Sequence, residues 1–293
     1  MTRPVPTPDY RTLTWLGHRI AWWETRQHEP GVPSLLLLHG FPSSSRDWHH
    51  VASLLADRVR VVGFDFLGYG RSAKAKSADY SVFAQADLTA FVIDELCGGA
   101  AMVVGHDVGG IVLQDLLDRD LSLPHGRISQ ACFVNSSVYS ALYKPTRAQK
   151  LLTIPVLGQM VAARMTRKAF VAGIASVSGT NTPQLRAQAD EMMLEYSSNG
   201  GRRLSPRHLV YMKERRAHAA RLEAAMAKTD PSRLAFVYGA ADPVSGQQQI
   251  GEIKRRLPDA RVTALNGLGH FPMLEDARAV ARGIASTFKL GES

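Results

Sequence analysis

The 293-residue sequence is poor in several features that would fix its class at once. Two cysteines, Cys97 and Cys132, are too few for a disulfide framework. Both read as reduced core thiols, which points to a cytoplasmic protein. No apolar run can cross a bilayer. The longest weakly polar run, 151–163, is broken by Pro155, Gly158 and Gln159 and falls short of the roughly 20 residues a span needs. The opening MTRPVPTPDY has no apolar h-region, so no signal peptide is expected. Zinc-finger spacing, an RNA-binding aromatic signature and a long basic helix with heptads are all missing, so no nucleic-acid partner is expected despite a net charge of +9. The fingerprints GxxxxGK[ST] and GxGxxG are missing too, which argues against a nucleotide or nicotinamide cofactor. His49-His50 has no acid or cysteine at ligand spacing. The pair reads as surface, and no metal or other cofactor is expected.

Acid is scarce in one place. From Val138 to Lys228 there are 15 Lys/Arg against 5 Asp/Glu, whereas the rest of the chain has 20 against 21. The whole positive excess therefore lies in the middle. It reads first as a solvated helical face, and it is also compatible with an anionic or lipid-associated small molecule.

With 45% hydrophobic residues the chain can bury a full core of one large domain or two ordinary ones. Residues 11–16 and 19–24 predict a hairpin turning at Gly17-His18. Apolar, β-branched runs at 34–39, 59–64, 101–105, 129–134, 233–238 and 261–265 predict further strands. Helical patterns at 47–56, 80–96, 108–117, 246–257 and 277–288 alternate with them. That alternation predicts an α/β fold with a mostly parallel, eight-stranded sheet covered on both faces. The interval 136–228 breaks the rhythm with Ala-, Met- and Arg-rich helical spacing, such as Leu185, Ala189, Met192, Met193 and Tyr196. It predicts a helical domain inserted into a core made of 1–135 and 229–293.

Chemistry concentrates at the ends of predicted strands. In Gly105-His106-Asp107-Val108-Gly109-Gly110 an apolar strand runs through a small-x-acid-x-small turn into a helix. Such a turn thrusts its central residue out on a strained backbone, at a helix N-terminus with free N–H groups. Leu38-His39-Gly40-Phe41-Pro42 follows an earlier strand. Asp242 in Tyr238-Gly239-Ala240-Ala241-Asp242-Pro243 and His270 in Leu268-Gly269-His270-Phe271-Pro272 follow the last two. Each segment alone fits a cap or turn. Together, the order Asp107, Asp242, His270 matches nucleophile, acid and base.

HGFP at 39–42, DFLGYGRS at 65–72, GHDVGG at 105–110, YGAADPVSG at 238–246 and GHFPMLED at 269–276 resemble the α/β-hydrolases of the epoxide hydrolase and haloalkane dehalogenase branch. The stretches DFLGYGRSAKAKSADYSVFAQ and DPVSG look most like the mesoderm-specific-transcript-like subgroup. The resemblance implies a cofactor-independent hydrolase with a helical cap. Asp107 would form an alkyl ester with a small-molecule substrate. His270, held by Asp242, would activate water, and the Phe41 and Val108 N–H groups would form the oxyanion hole. It also implies one or two cap tyrosines as proton donors to an epoxide oxygen. The candidates are Tyr139, Tyr143, Tyr196 and Tyr211: Tyr211 is the expected second donor, and the first is left open, with Tyr139 and Tyr143 foremost. His39 and His106 are expected on the substrate pocket wall. Val108 stands where these enzymes usually carry Trp, Phe41 stands where dehalogenases often carry Asn, and no Trp lies beyond Trp48. An epoxide or similar strained electrophile is therefore the expected substrate, with carbon–halogen hydrolysis as the alternative and a non-catalytic ligand-binding protein as the third reading. A monomer or homodimer is expected.

Overall fold

The computed structural model describes residues 8–290. Most of the segment behind the signal-peptide expectation lies outside the described residues.

Eight strands form one sheet in the order β1-β2-β4-β3-β5-β6-β7-β8. They are β1 (Arg11–Trp15), β2 (His18–Glu24), β3 (Ser34–Leu38), β4 (Arg60–Phe64), β5 (Ala101–His106), β6 (Ile128–Val134), β7 (Leu234–Gly239) and β8 (Arg261–Leu265). The hairpin pair β1–β2 and the pair β2–β4 are antiparallel, and the pairings from β4 through β8 are parallel. The sheet is thus mostly parallel, as the alternating pattern predicts. Strands β3, β4, β5 and β7 are buried at every position, which is why they read as predominantly apolar runs.

Helices α1 (His49–Leu55), α2 (Val82–Cys97) and α3 (Val108–Asp120) connect the first half. The helix expected at 47–56 is instead a 3-10 turn, Ser45–Trp48, followed by α1. Helix α2 starts later than expected because the Ser81 hydroxyl accepts the Ala84 N–H at 3.0 Å and caps it. Between β6 and β7 lie α4 (Arg147–Leu152), α5 (Leu157–Arg164), α6 (Arg167–Val177), α7 (Pro183–Ser197), α8 (Ser205–His208), α9 (Tyr211–Ala217) and α10 (Ala219–Lys228). This is the inserted helical cap, with α10 packed against α3 of the core. Helix α7 is tied down through Glu195, which accepts from the Ser44 hydroxyl at 2.7 Å and faces Arg71 and Arg46. The chain finishes with α11 (Gln247–Arg256), β8, α12 (Pro272–Glu275) and α13 (Ala277–Phe288).

His49 is a correction. It is buried, with Nε2 3.2 Å from the Tyr10 hydroxyl and its ring edge-on to Trp23. Only His50 of the pair is exposed. A sequence shows polarity but not that a helix start presses one imidazole into an aromatic niche. The loop Gly68-Tyr69-Gly70-Arg71-Ser72 wraps a buried carboxylate. Asp65 accepts the Ser45 N–H and hydroxyl and the Arg71 N–H at 2.9, 2.6 and 2.7 Å. Gly70, at φ 46°, is required there, because a Cβ would strike that carboxylate.

The loops after β3, β5, β6, β7 and β8 leave one edge of the sheet, beneath the cap. This is where open parallel sheets place their ligands.

Candidate active site

The turn after β5 holds Asp107 at φ 48°, ψ −111°, a conformation that L-residues avoid. Its neighbours explain why the turn needs glycines. A Cβ on Gly105 would sit 2.5 Å from the Gly109 carbonyl, and one on Gly109 would sit 2.7 Å from the His39 carbonyl. Asp107 is the first residue of the helix cap by position, yet its side chain caps nothing. The carboxylate instead accepts the Phe41 N–H on Oδ2 at 2.9 Å, and its Oδ1 lies 3.9 Å from His270 Nε2. Burial pushes the Asp107 carboxyl up. The His270 charge and the Phe41 and Val108 N–H groups pull it back.

His270 Nδ1 is 2.8 Å from Asp242 Oδ2. That carboxylate is saturated with donors: Asn135 Nδ2 at 2.9 Å, the Ser245 hydroxyl at 2.8 Å and the Val244 N–H at 2.7 Å. Burial raises Asp242, but His270 and these donors outweigh it and hold it down to about 2. Burial lowers His270, but the charge and hydrogen bond of Asp242, with the Asp107 charge, outweigh it and raise the imidazole to about 9. Asp107, His270 and Asp242 thus form one continuous acid–base–acid line.

A second cluster comes from the cap. The Tyr143 and Tyr211 hydroxyls are 3.2 Å apart. Gln149 Nε2 donates to Tyr211 at 3.0 Å, while its Oε1 accepts the Thr146 N–H at 2.8 Å. Arg215, one helical turn after Tyr211, lies 4.2 Å over the Tyr143 ring and donates to the Ser137 carbonyl. It is buried without a carboxylate partner among the described residues. Burial and the Asp107 charge push both phenols up and keep them protonated, while Arg215 draws them back.

Three expected pocket residues lie elsewhere. His39 is fully buried beneath the site. Its Nε2 accepts the Phe66 N–H at 3.0 Å, so its Nδ1 donates to the Gly40 carbonyl. His106 is also fully buried, and its Nε2 donates to the His270 carbonyl at 2.8 Å. Burial lowers both imidazoles, to about 4 and about 3, so they are neutral props of the loops rather than pocket wall. Tyr139 turns away: its ring lies under Arg256 and its backbone is clamped by Gln249. The 3-10 turn Ser140–Leu142 lies between Tyr139 and Tyr143.

A cavity of about 810 Å³ opens beside the line. His270, Phe41, Phe271, Gln149 and Tyr196 are on its wall, and apolar side chains of α4 to α6 make up most of the remainder. Among the described residues no cluster of His, Cys, Asp or Glu is placed to hold a metal, and no helix is long and apolar enough to cross a membrane.

Sequence reasoning missed Asn135, Gln149, Ser245 and Arg215. Only Gln149 carries a local signal, because Thr146-x-x-Gln149 is a capping box. Asn135 sits at φ 40° and ties the end of β6 to the β7 loop, donating to the Gly239 carbonyl and accepting its N–H at 2.7 Å. Asn135→Ala should therefore cost about 2–4 kcal/mol, from orphaned buried partners and an alanine at positive φ. Urea unfolding showing a loss under about 1 kcal/mol would contradict this account of the site's scaffold.

Residues 35–283 match the Alpha/beta hydrolase family. Over 276 residues the chain is 34% identical to "Putative hydrolase LipZ" of Mycobacterium tuberculosis, covering 93% of this chain and 94% of that protein. It is 31% identical to the Mesoderm-specific transcript protein of Mus musculus over 272 residues, 90% of this chain and 81% of the other. Among solved structures, the Cif epoxide hydrolase from Acinetobacter nosocomialis superposes with a TM-score of 0.78 at 18% identity, covering 95% of this chain and 88% of that one. A loop variant of the haloalkane dehalogenase DbeA from Bradyrhizobium elkanii gives a TM-score of 0.75 at 21% identity, covering 97% and 98%. The two solved structures speak for the fold, and the sequence match across most of the length shows that this chain belongs to the alpha/beta hydrolase family.

Proposed function

We propose that the protein hydrolyses an epoxide, or a similarly strained small electrophile, through a covalent ester on Asp107. The observation that carries this reading is the division of labour between the two Asp107 oxygens. Oδ2 is held by the Phe41 N–H at 2.9 Å, whereas Oδ1 faces the His270 imidazole at 3.9 Å, too far for a direct hydrogen bond. Oδ1 attacks the saturated carbon, the carbon–oxygen bond of the epoxide breaks, and the released alkoxide takes a proton from the Tyr143–Tyr211 pair. His270 then takes a proton from water, and the hydroxide adds to the Asp107 carboxyl carbon. The resulting oxyanion forms on Oδ2, already within its N–H cradle. Collapse releases the diol and restores the carboxylate, and the proton on His270 returns to the tyrosine pair.

A serine at the elbow would attack acyl carbon. A carboxylate there would give a reactive anhydride, so displacement at saturated carbon suits it better. The tyrosine pair favours an oxygen leaving group over a halide. Gln149 beside it gives one of its two N–H groups to Tyr211 and so orients that hydroxyl.

The test is isotopic. With enzyme in excess over epoxide in ¹⁸O-water, the covalent route puts ¹⁸O into Asp107 and leaves the first-turnover diol unlabelled. Label appearing directly in that diol would mean that water attacks the substrate itself, and the ester would be excluded. Absence of turnover with any epoxide or halide would favour a ligand-binding role instead.

A further inference from the structure

The cap carries an apolar tip that the chemistry does not use. Leu151, Ile154, Val156, Leu157 and Met160 are each at least 40% exposed, and they fall within ten residues spanning the end of α4 and the start of α5. Soluble surfaces scatter such side chains singly, and a cluster marks a contact face. Val156, at the tip, is 71% exposed and has φ 64°, ψ −57°, with the Leu157 N–H donating to the Pro155 carbonyl. This tight γ-turn is strained for a β-branched residue, and it holds the side chain outward.

Charge says what the face meets. No Asp or Glu occurs between Asp120 and Asp190. Exposed Arg147, Lys150, Arg164, Arg167 and Lys168 flank the tip in the sequence, and among the described residues only Arg167 of these has a carboxylate partner, Asp190. Leu151, Leu157, Met160 and Arg164 also line the cavity that reaches His270, so the exposed face is continuous with the cavity mouth.

We propose that this tip docks on an anionic lipid bilayer, with Ile154 and Val156 inserted among the acyl chains and the surrounding cations on the headgroups. An apolar tip inside a cationic collar is the pattern of interfacial binding, where buried apolar area and attraction to anionic lipid add. A second copy of this chain is a poor occupant, because two-fold pairing would set one predominantly cationic collar against the other. Docking in this way turns the cavity mouth toward the membrane, giving apolar substrates dissolved there a direct path to the site.

The experiment is co-sedimentation of the full chain with vesicles of phosphatidylcholine, with and without phosphatidylserine. Binding is expected to the phosphatidylserine vesicles, to weaken with added salt, and to fall by about tenfold or more in Ile154→Ser/Val156→Ser. Lys150→Glu/Lys168→Glu should lower it comparably, with far-UV circular dichroism unchanged in both variants. Failure to bind phosphatidylserine vesicles would overturn the proposal. So would full binding by Ile154→Ser/Val156→Ser, which would mean that charge alone adsorbs the protein. Light scattering that shows a dimer dispersed by those two substitutions, without vesicle binding, would make the tip a self-contact and overturn it as well. None of these readouts depends on turnover, so the outcome is independent of the proposed reaction.

Discussion

His270→Gln is expected to slow turnover by about 10²–10⁴-fold and to leave the protein heavier by one substrate molecule. The reason lies in which half-reaction needs the imidazole. In the proposed reaction, ester formation uses Asp107 and the cap tyrosines, and His270 enters only when water must lose a proton. Without the base, the ester accumulates and intact-mass measurement finds it, mapped to Asp107. The wild-type pH dependence follows from the same geometry. The resting imidazole is raised to about 9, and the Asp107 charge contributes to that. Alkylation removes this charge, so the working pKa in the ester lies below the resting one. The base must be neutral, so ester hydrolysis falls as pH drops through that working pKa and levels off above it. Single-turnover hydrolysis indifferent to pH, or no adduct on His270→Gln with any epoxide or halide, would remove His270 from this role.

Tyr143→Phe/Tyr211→Phe is expected to slow ester formation from epoxides by about 10²-fold or more, since the alkoxide would leave without a proton donor. The single substitutions should cost less than their combination predicts, because the two hydroxyls are 3.2 Å apart and each can relay for the other. A halide leaving group needs no proton, so the double variant should retain whatever dehalogenation the enzyme performs. Stopped-flow ester formation on matched epoxide and bromide substrates separates the cases. Equal losses on both would mean that the pair shapes the cavity rather than donates. Arg215 makes a shaping role alone unattractive. A buried guanidinium on the Tyr143 ring face favours the phenolate that proton transfer creates.

The readable parts of this site are those whose signal is local. The glycines around Asp107 are dictated by backbone so close that a Cβ would lie 2.5–2.7 Å from a neighbouring carbonyl oxygen, so the turn is written in consecutive residues. Asp242 and His270 each follow a strand whose apolar run is itself plain in the sequence. The tyrosines were not separable in that way. Tyr139 and Tyr143 are four residues apart in the same connection, and only the path of the intervening 3-10 turn sends one to Arg256 and the other to Tyr211. His39 and His106 stand beside the reacting residues in sequence, yet alternation of side chains along β5 and the bend after β3 turn them under the site.

Sequence alone determined the mostly parallel sheet, the inserted helices, the strand-end positions of Asp107, Asp242 and His270, and the confinement of excess positive charge to the middle stretch. These are matters of periodicity, composition and short turns, which neighbouring residues decide among themselves. Tertiary structure decided which of 15 basic side chains in that stretch is the buried Arg215, that Asn135 clamps Asp242, and that the apolar residues of α4 and α5 meet water at the cavity mouth. Each depends on elements far apart in the chain arriving at one place. Burial and hydrogen bonding belong to that arrival, and the order of residues does not record them.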